Sequence, residues 1–268
     1  MTEELAATFR RSVSRGEERL GRSWPSLFAT GAVGGIDVGV GVFALLLVEQ
    51  VTDNSLLGAL AFGIGFIALT LASSELFTEN FLVPVAAVAA GRARPAAVAR
   101  LWIGTGLTNL AGGWLIMAIV MAAAPKLEPT ALKLAAHYTE VGLGWESFAA
   151  SVLGGAIITL MTWMEQGTDS MPARLVAAFS AAFLLAAGAL FHAIVVSLVM
   201  FAALQAGAPF GYLDWLGVLA WSVIGNIVGG LGRITTLRLV QVGKGQLDEE
   251  RSGVERKVAG SGRPESAD

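Results

Sequence analysis

Long apolar stretches separated by short polar breaks dominate the chain. A membrane-crossing helix needs roughly 20 mostly apolar residues. Six stretches meet that need: 25–48, 56–90, 97–124, 146–165, 173–206 and 213–240. The second and fifth are too long for one straight crossing, and each carries a polar interruption. In the second it is Ser73-Ser74-Glu75-Leu76-Phe77-Thr78-Glu79-Asn80; in the fifth it surrounds His192. The pattern predicts an all-α integral membrane protein of six transmembrane helices, with helices 2 and 5 interrupted.

Composition agrees. The chain is 54% hydrophobic and only 15% charged, with a mean hydropathy of +0.66, whereas a soluble domain carries about 25% charge. Its 33 glycines against 8 prolines suit helices whose backbones approach closely in lipid. The cations set the orientation. With six spans, 16 of the 18 Lys and Arg fall on one side, and only Lys126 and Lys133 on the other. Positive residues stay cytoplasmic, so both termini are expected inside, in a multi-pass protein of the inner (plasma) membrane. Met1–Arg22 is polar and charged and does not read as a signal peptide. Three regions result: a cytoplasmic N-terminal arm (1–23), the six-helix domain (24–242) and a disordered cytoplasmic tail (243–268). Leu5, Phe9 and Val13, four apart beside basic residues, suit a helix lying on the inner membrane surface.

The two halves echo each other. Asn109-Leu110-Ala111-Gly112-Gly113 matches Asn226-Ile227-Val228-Gly229-Gly230, and Val33-Gly34-Gly35 parallels Leu153-Gly154-Gly155. Three spans per half is an odd number, so the second half runs inverted. Inverted repeats with one broken helix each place a solute site at the breaks. The bland alternative is that N-x-x-G-G recurs because small residues pack well.

Backbone freed by a break is tolerated only in protein or along a wet cavity, and half-helix N-termini there present partial positive charge. Thr78 would add a hydroxyl and His192 an imidazole. A threonine in a membrane helix usually bonds its own backbone, and a lone histidine can be packed and neutral. Ionisable groups within a membrane are costly, which favours a functional role for His192. Asp37 shares a face with Gly34 and Gly41, where a structural hydrogen bond is as good a reading as a solute contact. Gly31, Gly35 and Gly39 read as packing, since no strand precedes them and no Lys-Ser/Thr follows. His137 falls in a polar outside loop, where exposure is expected.

With these residues in view, the chain resembles the formate/nitrite transporter family over about 25–240. The resemblance rests on Glu75-Leu76-Phe77-Thr78, Trp102 with Asn109, Glu146, His192, and Gly225-Asn226-Ile227-Val228-Gly229-Gly230. It implies an aquaporin-like protomer with its own pore, a homo-pentamer, and passage of small monovalent weak-acid anions. Carried over, Thr78 and His192 form the central pair, and Phe62, Phe66, Leu76, Phe77 and Leu185 contribute to two hydrophobic constrictions. The chain departs from the family pattern in places. The Gly-Phe-Glu before the histidine reads Ala189-Leu190-Phe191, the following Asn is Val196, a common Lys is Thr139, and Glu79 follows Thr78 where an uncharged residue is usual.

Three function classes compete. The first is a channel or proton-coupled transporter for small weak-acid anions. The second is a pore for a small neutral solute, favoured by the missing charges and by Glu79. The third is an enzyme, which should show clustered ligands or dyads where none appears, or a scaffold, which should lack polar interruptions in its spans. Net charge is −3 and there is no cysteine, which argues against nucleic-acid partners and thiolate metal sites. No cofactor or metal is expected.

Overall fold

The computed structural model describes residues 2–261. Twelve helices are found among them: α1 (Glu3–Leu20), α2 (Trp24–Thr52), α3 (Ser55–Ala72), α4 (Val83–Ala89), α5 (Pro95–Ala123), α6 (Glu128–Glu140), α7 (Trp145–Gln166), α8 (Met171–Ala187), α9 (Ala193–Gln205), α10 (Tyr212–Ile227), α11 (Thr236–Val242) and α12 (Lys244–Ser261). Short 3-10 turns at Phe77–Phe81 and Pro125–Leu127 precede α4 and α6, and a π-helical stretch, Val228–Thr235, fuses α10 to α11.

Local chemistry sets the helix starts. Pro25, Pro84, Pro95 and Pro172 stand in the first turn of α2, α4, α5 and α8, where the missing N–H costs nothing. Asn54 caps α3 by accepting from Leu56 and Leu57 N–H at 3.0 and 3.1 Å.

Five helical segments are long and apolar enough to cross a membrane: Trp24–Thr52, Ser55–Ala72, Pro95–Ala123, Trp145–Gln166 and Tyr212–Val242. The stretch expected as the fifth span is divided at Gly188–His192 into 17- and 13-residue helices. Each piece alone is short for a bilayer, which is why five crossing-length helices appear rather than six. Helix α2 packs on α3 and α5, α3 on α8, and α7 on α10. The Gly31/Gly35/Gly39 stripe makes α2–α5 contact possible. A Cβ on Gly35 would lie 2.1 Å from the Asn109 carbonyl oxygen, closer than atoms can pack.

Three regions differ from expectation. The apolar face of α1 meets protein, not lipid: Phe9 and Val13 are buried with Leu82, Ala86 and Trp163. A Cβ on Gly16 would sit 2.1 Å from Val83 O, so α1 and α4 touch backbone to backbone. The segment around His137 is not an exposed loop. It is helix α6, folded back so that Ala131, Ala135 and Tyr138 are buried in the main core, with Lys133 3.2 Å from Glu49. The tail is helical over Lys244–Ser261, held by an Arg92–Glu250 ion pair at 3.0 Å and a bond from Arg251 Nε to Ala89 O at 3.0 Å. The rest of the expected disordered tail, 262–268, lies outside the described residues.

Candidate functional site

The site is built from two breaks. Helix α3 ends at Ser73, in a left-handed conformation (φ 54°), and the chain then runs extended into the Phe77–Phe81 turn. Its freed polar groups are satisfied by neighbouring helices, as buried backbone requires. Asn109 on α5 is the main clamp. Its Oδ1 accepts from Phe77 N at 2.8 Å, and its Nδ2 donates to Glu75 O at 2.8 Å and Gly31 O at 2.7 Å. Further along, Trp102 Nε1 donates to Asn80 O at 2.8 Å and Thr235 Oγ1 to Phe81 O at 2.9 Å.

The second break runs through Gly188–His192. Ala189 holds φ 44°, a left-handed backbone that glycine adopts more cheaply. Here Asn226 is the clamp. Its Oδ1 accepts from Ala193 N at 2.9 Å, and its Nδ2 donates to Phe191 O at 2.9 Å and Ser151 O at 2.7 Å. The two asparagines thus make matching sets of bonds. By that correspondence the counterpart of His192 is Leu76, one residue before Phe77.

The breaks meet at Thr78 and His192, both with no solvent exposure, where Thr78 Oγ1 and His192 Nε2 are 2.6 Å apart. Other threonines of the bundle, such as Thr70, Thr108 and Thr162, return their hydroxyls to the carbonyl four residues back. Thr78 instead turns toward the imidazole. His192 caps α9, its Nδ1 accepting from Val195 N at 3.4 Å. That bond assigns the ring proton to Nε2, which then donates to Thr78 Oγ1. The threonine hydroxyl hydrogen is left free to donate elsewhere, toward a solute.

Around this pair, Phe62, Phe66, Leu76 and Leu185 are fully buried in the same core. Phe62 lines a cavity of about 70 Å³ with Val42, Leu45, Val195 and Val199. Phe77 is buried in that core as well. Its ring stacks edge-on against Phe81 and Trp102 and borders a groove with Gly106 and Leu110.

Sequence reasoning missed the charged lock beside the site. Arg19, 5% exposed, reaches from α1 into the first break. Its Nη1 donates to Asn80 Oδ1 at 2.9 Å, its Nη2 to Glu79 Oε2 at 3.0 Å, and its Nε lies 2.9 Å from Glu75 Oε1. Arg22 also pairs with Glu75. Burial alone would weaken the Arg19 cation, but the Glu75 and Glu79 carboxylates hold its proton more firmly than usual. The signal was available: carboxylates within an apolar stretch demand a partner, and the arginines of the N-terminal arm were the nearest supply. Asp37 takes the structural role, accepting a short hydrogen bond from the Ser74 hydroxyl. Glu146 lies exposed in the first turn of α7.

Apolar helices around clamped breaks define a membrane-embedded transport protein. A sequence model of the formate/nitrite transporter family matches residues 6–240, and the chain belongs to that family. It is 23% identical over 234 residues to the uncharacterized transporter YrhG of Bacillus subtilis (strain 168), covering 82% of this chain and 86% of that one. To the formate channel FocA of Haemophilus influenzae it is 33% identical over 119 residues, 42% of this chain and 41% of that protein. Among solved structures it resembles an FNT family ion channel with a TM-score of 0.72 at 18% identity, covering 84% of this chain and 94% of the other. It resembles a pentameric formate channel with formate bound with a TM-score of 0.66 at 20% identity, covering 82% and 98%. The chain is an integral membrane protein with the fold of these channels.

Proposed function

We propose that the protein is a channel or transporter for small monovalent weak-acid anions, formate-like or nitrite-like, with its pore centred on Thr78 and His192. The observation that carries this reading is the 2.6 Å contact between their side chains at the junction of two asparagine-clamped breaks. In it, α3–α4 and α8–α9 are each one interrupted span. Six crossings result, in two inverted repeats whose equivalent clamps are Asn109 and Asn226. Phe62, Phe66, Leu76, Phe77 and Leu185 form the hydrophobic constrictions.

An anion pays heavily to enter an apolar slit, and its neutral acid does not. In the cycle proposed here His192 takes a proton from the entry-side water at Nδ1 as the anion arrives, releasing Val195 N–H; the imidazolium then gives one proton to the anion, the neutral acid passes and ionises on the far side, and the ring returns to its neutral form. Thr78 orients the solute through its free hydroxyl hydrogen. The formate channel relatives support the anion class. The neutral-solute reading loses one of its motives because Glu79 is matched by Arg19. Uptake into proteoliposomes of labelled formate and nitrite, set against glycerol and urea, tests the choice. The two anions are expected to enter and the neutral solutes to be excluded; entry of the neutral solutes alone would reverse the assignment.

The 16-to-2 division of Lys and Arg supports cytoplasmic termini in the inner membrane. Cysteines replacing Ala96 and Glu128, both exposed, are expected to label from opposite sides, and same-side labelling would defeat six spans. A homo-pentamer is proposed from the pentameric relative. Native mass spectrometry is expected to give five times the 27.8 kDa chain mass, and monomers alone would contradict it.

A further inference from the structure

His137 stands where the Thr78–His192 pathway would open at the α6 end of the bundle. Its ring lines the cavity of about 70 Å³ that Phe62 bounds. It packs against Tyr138 at 5.3 Å and against Phe191, the residue preceding His192, at 6.1 Å between ring centroids. The neighbouring elements present only apolar groups to that cavity: Val42 and Leu45 from α2, Phe62 from α3, Ala186 from α8, Val195 and Val199 from α9. Tyr138 is the other titratable side chain in its wall, and burial holds its phenol in the neutral form. The charged groups of α6 and the helices packed on it are committed elsewhere: Lys133 pairs with Glu49 and Asp53 at 3.2 and 3.8 Å, Glu140 faces solvent, and Asp214 of α10, which shares a groove with Tyr138, accepts from Gly211 N at 2.7 Å.

An imidazole in an otherwise apolar antechamber is a charge that can be switched. When neutral, the cavity offers an anion no counter-charge. When protonated, it concentrates anions at the mouth of the constriction, and low-dielectric walls magnify that attraction. We propose that His137 is the outer anion-capture residue of the pathway, so that its protonation sets solute entry from the α6 side. This would make the chain a two-histidine device in which His137 admits the anion and His192 neutralises it. The assignment rests on the reading of Thr78–His192 as the pore centre.

The test is uptake of labelled formate by right-side-out vesicles holding the full-length protein, with inside pH fixed and outside pH swept through the imidazole range, about 5 to 8. His137→Gln is expected to lower uptake about tenfold at the acidic end and leave the alkaline end unchanged. His137→Lys, a fixed cation, is expected to raise uptake at the alkaline end by a similar factor. If both variants follow the wild-type profile while His192→Asn abolishes it, His137 has no capture role and the pore reading stands. If His192→Asn also matches wild type, both assignments fall. A readout without substitution is available because the chain has two histidines. Diethyl pyrocarbonate applied outside should modify His137, more slowly with formate present, and uptake should fall with the modified fraction; full modification without loss of uptake overturns the proposal.

Discussion

Replacing Arg19 with alanine is expected to destabilise the protein by about 3–5 kcal/mol, the range for removing one partner of a buried ion pair. Arg22 still serves Glu75, so the damage falls on Glu79, whose carboxylate would be left 3% exposed without its cation. Asn80 Oδ1 loses a donor at the same time. Because these residues flank Thr78, the loop bearing the proposed site should loosen with the fold. Thermal unfolding in detergent, followed by fluorescence-detected size exclusion, measures the effect. Arg19→Met combined with Glu79→Gln should recover more than half of the loss, since no unmatched charge then remains at Glu79. A single variant that melts with wild type would mean that α1 adds nothing to the lock.

The membrane-embedded helical class was legible because lipid leaves so plain a mark on composition: apolar runs of crossing length cannot be hidden. Asn109 and Asn226 stood out as the repeated N-x-x-G-G, because an amide in the same setting twice is a conspicuous polar cost, and each satisfies two groups of a break and one carbonyl of a neighbouring helix. Other features were not legible, for physical reasons. The amphipathic pattern of Leu5, Phe9 and Val13 is the same whether a helix lies on lipid or on protein, so burial against α4 could not be read from it. Helix α6 is too short and polar to register as a span, yet Leu134, Ala135 and Tyr138 give it a face that folds onto the core. The helix at Lys244–Ser261 depends on contacts with the α4–α5 turn, more than 150 residues earlier in sequence.

The second large effect concerns the central pair. His192 is hydrogen-bonded to Thr78 through Nε2, and its Nδ1 accepts from Val195 N–H. Asparagine can keep a similar size and one hydrogen bond to Thr78, but it cannot carry a proton through a cycle. Thr78→Val keeps the shape and removes the free hydroxyl, an interaction worth about 1 kcal/mol, so it should slow flux by five- to tenfold without altering its pH dependence. His192→Asn should leave assembly intact and act on the pH profile. The most direct measurement is therefore formate uptake into proteoliposomes as a function of pH, for wild type and His192→Asn side by side. The proton-transfer account expects the steep acid-side rise of the wild type to flatten in the variant. A variant that retains both the wild-type rate and its pH profile would contradict it, reducing His192 to a packing residue.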